Sequence, residues 1–482
     1  MNYRLVMHIL GIILMGEAAS MLPSALIGYA VGDGDGHAFL LSIAVTLVAG
    51  LLFFFQRPKG QNMQARDGFA AVALSWIVLS LFGALPYVFS GVIPNYIDAV
   101  FETVSGFTTT GATVLTFMEG QPHGILFWRA QTQWMGGMGV LVLTLALIPK
   151  LGEGSVYLMR AESPGPIKSK LTPRLADTAK ILYTIYIGLT IAETIVLKLA
   201  GMPLYDSVIH AFTSISTGGF SVKNASIASY ESLLIEWIIT IFCFLSGVNF
   251  SLLYYALLRN FKAVFESEEL KLYTWVTIIA SSLITLSLVV QSNTAFDAET
   301  ITNSVFQVVT LMTTTGYMTC DYVLWPSFAQ MVLVGVMIIG GCAGSTSGGA
   351  KQIRILLLVK NLKRDVQRIL HPRQVTVIKN DGDRVDEGIL SSISLFFFAY
   401  ILLMLLGMLV VSWDNVGLES ALGASLTCIS NVGPGFGVLG PTANFSVLSN
   451  FSMIFLSILM LLGRLEILPL LLLLFPYLWK KR

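Results

Sequence analysis

Long apolar runs, separated by short polar segments, dominate the chain from end to end. Runs such as LLSIAVTLVAGLLFFF and AVALSWIVLSLFGALPYVF approach the roughly 20 residues that an α-helix needs to cross the hydrocarbon core of a bilayer. The pattern predicts ten membrane-spanning helices, near residues 5–30, 38–56, 67–90, 125–148, 177–200, 233–258, 271–292, 328–360, 389–412 and 448–478. The fold class predicted from these runs is an all-α integral membrane protein.

The segments after the third, fifth, seventh and ninth predicted spans share one pattern. Each contains a short helical stretch and then a glycine-bearing tail, as in YIDAVFETVSGFTTTGA, LYDSVIHAFTSISTGGF, ITNSVFQVVTLMTTTGY and GLESALGASLTCISNVGPG. A unit that recurs every ~100 residues indicates an internal repeat, here with fourfold pseudosymmetry. The predicted units are an N-terminal two-helix transmembrane hairpin at 1–60 and four repeats at 61–150, 177–260, 270–360 and 388–482.

Composition agrees with the membrane class, since 55% of the 482 residues are hydrophobic and 12% are charged, against about 25% charged in soluble domains. Lys and Arg concentrate in the segments on one side of the predicted membrane, so the positive-inside rule places those segments and both termini in the cytoplasm. The four cysteines show no metal or redox spacing. No acid dyad, Ser–His pair or HExxH motif is present, so we predict no enzymatic activity.

The loops on the other side of the predicted membrane are acidic, with little positive charge beyond Lys223. An acidic outer vestibule would concentrate cations and repel anions. The alternative, ordinary topogenic bias, explains the missing lysines but not the acids, because acids contribute little to topology. We therefore favour a vestibule. Its candidate residues are Asp33, Asp35, Asp98, Glu102, Glu119, Asp206, Glu231, Asp297, Glu299, Asp321, Asp414 and Glu419.

The glycine-bearing tails carry the candidate chemistry. Glycine and β-branched threonine both weaken a helix, and non-helical backbone at membrane depth is tolerated only where it lines an aqueous cavity or is buried in protein. Four such tails that converge on one axis could direct carbonyl oxygens at a dehydrated cation. Glycine permits the positive φ that this arrangement needs, and the C-terminal end of each half-helix adds partial negative charge.

The motifs TTTGA, STGGFS, TTTGYM and SNVGPG, in this order after an N-terminal hairpin, resemble those of a superfamily of K⁺ transporters that includes the Trk, Ktr and HKT proteins. The likeness extends over the chain from about residue 60 and is greatest to the TrkH/TrkG type. It implies four helix–pore-loop–helix repeats around a central pore, with K⁺ bound in a selectivity filter and no organic cofactor in this chain.

The resemblance, carried over repeat by repeat, implies a filter of four residue triplets that each end in a glycine. In the second loop that glycine is Gly218 or Gly219, and matching Asp98 to Asp206 favours Gly219. In this superfamily a glycine in all four loops goes with K⁺ preference and a serine in the first with Na⁺, so the resemblance implies a K⁺ conductor. The candidate filter residues are Thr109, Thr110, Gly111, Thr217, Gly218, Gly219, Thr314, Thr315, Gly316, Asn431, Val432 and Gly433.

A second irregular stretch, IIGGCAGSTSGGAKQIR at residues 338–354, interrupts the eighth predicted span with five glycines and three hydroxyl residues. It predicts an intramembrane loop at 340–350, with a small-residue helix crossing as the alternative. A Walker A loop is excluded because Ala350 stands where its lysine belongs. In the superfamily such a loop obstructs the permeation path, so the resemblance implies a gate. The candidate gate residues are Gly340, Gly341, Gly344, Ser345, Thr346, Ser347, Gly348, Gly349, Lys351 and Arg464.

Arg464 is a cation within the apolar last span, and an intramembrane charge is by default functional. The resemblance implies that it lies beside the pore near the gating loop, whereas a structural ion pair between helices is the alternative. Glu466 would point to a different face of the helix and need not be its partner. Lys351 could cap the loop or repel cations at the inner mouth.

The predicted function is K⁺-selective conduction for potassium uptake, gated by the intramembrane loop. The alternative is a K⁺ symporter driven by H⁺ or Na⁺, for which Glu17 and Glu193 are the obvious titratable candidates, although we interpret both as interhelical hydrogen-bonding groups. The resemblance also implies a homodimer in a bacterial inner membrane and a cytoplasmic nucleotide-binding regulatory subunit of the TrkA type. The polar, basic segments 152–175 and 360–388 are plain loops or a docking surface for that subunit.

Overall fold

The computed structural model of the protein describes residues 2–56, 65–139, 175–374, 376–467, 470–471 and 473. Helices form almost all of the regular structure in these ranges, which confirms the all-α membrane class. They are α1 (Tyr3–Ser20), α2 (Leu22–Val31), α3 (Gly36–Phe54), α4 (Ala65–Gly83), α5 (Leu85–Phe89), α6 (Tyr96–Phe107), α7 (His123–Gly137), α8 (Leu175–Leu199), α9 (Leu204–Ile215), α10 (Leu233–Ser246), α11 (Phe250–Leu257), α12 (Phe261–Glu266), α13 (Glu268–Gln291), α14 (Ala298–Met312), α15 (Ser327–Ile339), α16 (Gln352–Leu370), α17 (Glu387–Ser412), α18 (Leu418–Ser430) and α19 (Asn450–Arg464). Strands β1 (Lys379–Asn380) and β2 (Asp383–Arg384) pair antiparallel.

Six helical stretches in the described ranges are long and apolar enough to cross a bilayer, and each matches a predicted span. They are Tyr3–Val31, Gly36–Phe54, Asp67–Phe89, Thr178–Leu199, Glu268–Gln291 and Glu387–Ser412. In the described ranges the other four predicted spans correspond to shorter or interrupted helices, one of which, the eighth, is the span for which the sequence predicts a break. Residues 140–148 and 474–478, at the ends of two of those spans, lie outside the described ranges, as does most of the segment 152–175.

Two predicted spans are interrupted in the middle. Helices α10 and α11 form a bent pair with an angle of 102° between them, and Asn249 begins α11 by accepting a hydrogen bond from the Ser251 N–H (2.8 Å). This bend was not predicted, although Gly247 and Asn249 interrupt the apolar run at this point. The other interruption, the irregular segment 340–351 between α15 and α16, is the break that the glycines there predict; we call this segment the inner loop.

Four short helices, α6, α9, α14 and α18, precede the glycine-bearing tails, and we call them the first to fourth half-helices. Each carries a carboxylate in its first turn, where negative charge stabilises a helix N-terminus. These residues are Asp98, Asp206, Glu299 and Glu419. The first and third half-helices also begin on side-chain caps: Asn95 Oδ1 accepts a hydrogen bond from the Ile97 N–H (3.0 Å), and Asp297 Oδ1 accepts one from the Thr300 N–H (2.9 Å).

The half-helices and their neighbouring helices pack in a closed circle. Each half-helix lies between the helices of its own repeat and also packs on a helix of the preceding repeat: α9 on α7, α14 on α10, α18 on α15, and α6 on α19. The last of these contacts joins the fourth repeat to the first, so the repeats close around one axis. The N-terminal helices add a layer outside this circle of helices, with α1 packed on α3 and α4, and α2 packed on α7.

Small residues set the close crossing of α1 and α3. Lipid tails are as apolar as leucine, so helices in a membrane associate through close packing and hydrogen bonds rather than through the hydrophobic effect. A Cβ atom on Gly11 would lie 2.7 Å from the Gly50 carbonyl oxygen, and one on Gly50 would lie 3.2 Å from that of Gly11. The two backbones therefore touch at this crossing.

Candidate functional site

The tails after the half-helices, residues 108–114, 216–222, 313–319 and 430–436, share one backbone conformation; we call them the first to fourth loops. In each loop two residues with positive φ enclose a third: Thr109 and Gly111 (53° and 86°), Thr217 and Gly219 (57° and 75°), Thr314 and Gly316 (59° and 80°), Asn431 and Gly433 (57° and 108°). Glycine adopts this conformation freely, whereas it costs other residues roughly 1–2 kcal/mol and is unusual for β-branched threonine. A strained turn that recurs four times is imposed by its surroundings.

Hydrogen bonds at the helix ends form these turns. In the first loop the Thr110 N–H donates to Ser105 O (2.8 Å) and the Thr109 N–H donates to Gly106 O (3.0 Å). This is the Schellman pattern, in which the residue after the helix end is left-handed. The longer-range bond, to the carbonyl five residues earlier, recurs in the other loops from Gly218 (2.7 Å), Thr315 (2.7 Å) and Val432 (3.0 Å).

The loops close into a ring through their glycines. A Cβ atom added to any of Gly111, Gly219, Gly316 and Gly433 would lie less than 3 Å from a carbonyl oxygen of the next loop. Those oxygens belong, in the same order, to Gly218, Thr315, Val432 and Thr110. Each loop thus packs on the next, and the fourth returns to the first; this closed set is the ring.

The ring geometry fixes the alignment of the second loop. Gly219 has positive φ and adjoins the Thr315 carbonyl, as Gly111 adjoins that of Gly218. Gly218 holds the place that Thr110 and Thr315 hold in their own loops. Gly219 is therefore the structural counterpart of the other three glycines.

A buried ion pair behind the ring joins the first loop to the second, and the sequence analysis missed it. Arg129 Nε on α7 lies 2.6 Å from Glu102 Oε1 on the first half-helix. Glu102 also accepts the Thr113 hydroxyl (3.0 Å), while Arg129 donates to Ser221 O (3.2 Å) and stacks on Phe220, 3.4 Å from the ring centroid. The two charges are 27 positions apart, so no helical spacing pairs them in the sequence.

The other neighbouring loops are joined by neutral hydrogen bonds. Two tyrosines of the third repeat reach sideways to the second and fourth repeats, and an asparagine of the fourth loop reaches the first. The pairs are the Tyr317 hydroxyl with Thr213, the Tyr322 hydroxyl with Gly435 O (2.9 Å), and Asn431 Nδ2 with Thr110 Oγ1 (2.9 Å).

A cavity of about 320 Å³ adjoins the ring and is lined by all four of its glycines. The charged residues that line it are Arg129 and Lys223, and no carboxylate lies among the described residues of its wall. None of the acids predicted to form an outer vestibule lies among the described residues of this wall, whereas Asp33, Glu119 and Asp206 line a second cavity, of about 350 Å³, that also reaches Lys223. Glu102, another of the acids predicted for the vestibule, is instead buried in the ion pair with Arg129.

Several outer acids instead accept hydrogen bonds from the backbone. Asp33 Oδ2 accepts the His123 N–H (2.8 Å), and the hydrogen bonds from His123 hold the pKa of Asp33 below its ordinary value. Glu119 Oε1 accepts the Asn224 N–H (2.9 Å). Together with the four carboxylates in the first turns of the half-helices, these contacts give six of the outer acids a role in folding the loops.

The inner loop lies against the C-terminal ends of three half-helices. Because the segment is irregular, the alternative of a helix crossing at 340–350 is excluded. A cavity of about 100 Å³ adjoins the loop. The hydrogen bonds of the inner loop to the half-helix ends run from Thr346 Oγ1 to Ile215 O (3.0 Å), from the Gly348 N–H to Thr314 Oγ1 (2.7 Å), and from the Gly349 N–H to Ser430 O (2.9 Å).

The inner loop is also joined to the bend between α10 and α11. The Cys342 N–H donates to Gly247 O (2.9 Å), and the Phe250 N–H donates to Gly344 O (3.0 Å). The two interrupted spans, in the second and third repeats, therefore contact each other at their interruptions.

Arg464, at the end of α19, binds the inner loop through backbone carbonyls. Its guanidinium donates to Thr346 O (2.8 Å), Gly136 O (2.6 Å) and Gly137 O (2.8 Å). These contacts join the inner loop to the C-terminal end of α7. Glu466 is within 2.6 Å of Arg354, on the first turn of α16.

Lys351, the last residue of the inner loop, is buried and has a positive φ of 76°. Its ammonium group donates to Ser347 O, four residues earlier in the same loop. Of the two roles that the sequence left open, this contact corresponds to capping the loop.

Glu269, near the start of α13, binds both the inner loop and the first turn of α16, a role that no sequence pattern indicated. Its Oε1 atom accepts the Ala343 N–H (2.7 Å) and the Ile353 N–H (3.1 Å). The side chain borders a cavity of about 720 Å³ that also reaches the hairpin of β1 and β2.

Glu17 and Glu193, the candidates for ion coupling, line neither the cavity at the ring nor the cavity at the inner loop. Both carboxyl groups are buried. The Glu193 carboxyl group lies beside the Ser214 side chain of the second half-helix, in line with the interhelical role expected of it. In the part of the chain that the structure describes, the Glu17 carboxyl group has no hydrogen-bond partner.

Comparison with known proteins places this arrangement among cation transporters. A family model described as "TrkH: Cation transport protein" matches residues 36–480. The Trk system potassium uptake protein TrkH of Salmonella typhimurium is 39% identical over 490 aligned positions that cover all of both chains. TrkG of Escherichia coli is 33% identical over 484 positions, 99% of each chain. The crystal structure of the potassium transporter TrkH from Vibrio parahaemolyticus superimposes with a TM-score of 0.88 at 35% identity over the whole of both chains.

Proposed function

The chain belongs to the TrkH family of cation transport proteins, and from that membership we propose that it is a K⁺-selective membrane subunit for potassium uptake. The observation that carries the proposal is the ring, in which four loops repeat one backbone conformation and pack glycine against carbonyl. Carbonyl oxygens in such a ring can replace the hydration shell of K⁺. K⁺ would bind at the residue triplets that end in Gly111, Gly219, Gly316 and Gly433.

The inner loop would be the gate of this pathway. Hydrogen bonds to three half-helix ends hold the inner loop in place, and so does the guanidinium of Arg464, a cation next to the proposed cation path. Movement of the inner loop would require the release of these bonds and rotation at glycines such as Gly344 and Gly349, which have positive φ.

The assembly around this chain would follow that of the type it resembles. We propose a homodimer in the bacterial inner membrane with both termini in the cytoplasm, controlled by a nucleotide-binding subunit of the TrkA type. The excess of Lys and Arg on one side supports this orientation.

Reversal potentials of the purified protein in liposomes, without any partner, test the function. We expect the potential to follow the K⁺ gradient alone. A shift with pH or with Na⁺ would favour the coupled symporter instead. The same measurement on a variant that lacks residues 345–349 distinguishes a closed gate from a missing pathway. If neither folded protein carries a K⁺ current, the proposal is refuted.

A further inference from the structure

The second loop differs from the others at the position before its ring glycine. The first, third and fourth loops have a side chain there, and the second has Gly218. In the first and third loops this side chain is a threonine whose hydroxyl binds the hydroxyl two residues earlier. These pairs are Thr110 with Thr108 (2.7 Å) and Thr315 with Thr313 (2.8 Å).

The amide of Gln133, on α7, fills the space that the missing side chain would take. A Cβ atom added to Gly218 would have three atoms of that amide, Cδ, Oε1 and Nε2, as its nearest neighbours, each at less than 3 Å. Gly218 has no positive φ, so its backbone conformation would accept a side chain, and it is Gln133 that occupies the room.

Gln133 also binds the second loop at two points. Its Nε2 donates to Gly218 O (2.6 Å), and its Oε1 accepts the Phe220 N–H (3.1 Å). The C=O and N–H of a trans peptide point in opposite directions, so this second bond aims the Gly219 carbonyl away from Gln133. A carbonyl oxygen has two lone pairs, so Gly218 O keeps one for another partner.

We propose that Gln133 is a positioning residue for the ring, that from α7 it supplies the second loop with the support that a threonine hydroxyl supplies within the first and third loops, and that it thereby sets the selectivity of the second quarter of the ring. The inference rests on the proposed function, because it assumes that the ring selects K⁺. If the inference is right, a threonine at position 218, as in the first and third loops, can replace the Gln133 amide as the support of the second loop.

Reciprocal substitutions test this exchange by bi-ionic reversal potentials with K⁺ and Na⁺ in liposomes. Gln133→Ala frees two peptide groups and should lower the K⁺/Na⁺ permeability ratio by about tenfold, equivalent to roughly 1.4 kcal/mol of lost discrimination. Gly218→Thr alone overlaps the amide of Gln133 and should lower the ratio as well. The double variant should recover most of the wild-type ratio, because Ser216 offers the hydroxyl that Thr108 and Thr313 offer in their loops.

Gln131→Ala is the matched control, since this glutamine of the same helix donates to Ser20 O (2.8 Å), away from the loops; it should leave the ratio unchanged. A selective wild type with an unaltered ratio in folded Gln133→Ala would overturn the inference and leave the proposed function standing. A double variant no better than either single one would overturn the exchange of supports. A wild type that does not discriminate K⁺ from Na⁺ would instead overturn the proposed function.

Discussion

The ring and the inner loop are both glycine-rich, non-helical backbone within a membrane protein, yet they are held in different ways. Each loop of the ring is packed against another copy of its own conformation, with glycine against carbonyl at every junction. The inner loop exists once, and side chains such as Arg464 and Glu269 hold it from other helices.

The difference concerns how each part can move. A backbone overlap in the ring is relieved only if the neighbouring loops shift too, so the ring should behave as one rigid unit. The hydrogen bonds of the inner loop are each worth about 0.5–3 kcal/mol and can be lost separately. Selectivity should therefore respond to changes in the ring, and basal flux to changes around the inner loop.

The largest effect is expected from Gly219→Ala. The Cβ atom would combine a left-handed penalty of roughly 1–2 kcal/mol with the closest approach to a neighbouring carbonyl among the four ring glycines. We expect K⁺ flux into proteoliposomes to be abolished. Gly335→Ala, on α15, is the control, because a Cβ there has nothing within 4 Å; normal flux through Gly219→Ala would show that the ring tolerates a side chain.

Next in size is Arg129→Met, which leaves Glu102 buried without its partner. Loss of one member of a buried ion pair costs about 3–5 kcal/mol, so the thermal unfolding temperature in detergent should fall markedly. Adding Glu102→Gln removes the remaining charge and should recover much of the loss. If the single and double variants unfold at the same temperature, the pair does not join the first two loops energetically.

Arg464→Ala tests the inner loop, the second of the two regions compared. It removes three hydrogen bonds from a charged donor, each worth about 1.5–3 kcal/mol, and should raise basal K⁺ flux at least about tenfold, as should a deletion within Ser345–Gly349. The K⁺/Na⁺ permeability ratio should not change. Loss of flux from the folded variant would make Arg464 a structural residue, and a changed ratio would mean that the ring and the inner loop do not act separately.

Gly111→Ser should have a smaller effect than Gly219→Ala. A Cβ atom on Gly111 would lie farther from Gly218 O than one on Gly219 would lie from Thr315 O, so the overlap is smaller. We expect flux to persist while the K⁺/Na⁺ permeability ratio falls about tenfold, or ~1.4 kcal/mol of discrimination. An unchanged ratio in bi-ionic measurements would show that the first loop does not contribute to selection.

The smallest effect is expected from Glu269→Gln, because the glutamine keeps an acceptor oxygen and loses only the charge, worth about 1 kcal/mol. Basal K⁺ flux should rise a few-fold without a change in selectivity. Glu266→Gln is the control, since Glu266 borders the same cavity but is exposed and pairs with Lys262. Equal flux in both variants would remove Glu269 from the restraints on the inner loop.

Much of the fold followed from the sequence, because apolar runs and glycine clusters are local signals. They predicted the six long spans, the four half-helices and the interruption before Gln352. The bend between α10 and α11 was not predicted, because a single glycine, Gly247, and Asn249 are a weaker signal than a glycine cluster, and the contacts of the bend with the inner loop come from distant positions. The boundaries of the repeats and the roles of the filter and gate residues stay predictions.

The site was only partly readable, because its supports come from distant positions. Glu102 counted as one outer acid among many until its contact with Arg129 was visible. The left-handed turn at Thr109 contradicts the local preference of threonine, and the hydrogen bonds at the helix end together with the packing of the loops hold it. Gln133 lies on a helix far from Gly218 in sequence, so its fit against that glycine emerges only in three dimensions.

The contact of the inner loop with three half-helix ends has a consequence for why four repeats are joined in one polypeptide. A homotetramer would place an identical segment in every quadrant, and four copies would compete for the same central space. Fusion into one chain frees each quadrant to diverge, so a single obstruction can serve all of them. An entrance with fourfold symmetry can then lead to an exit that has none.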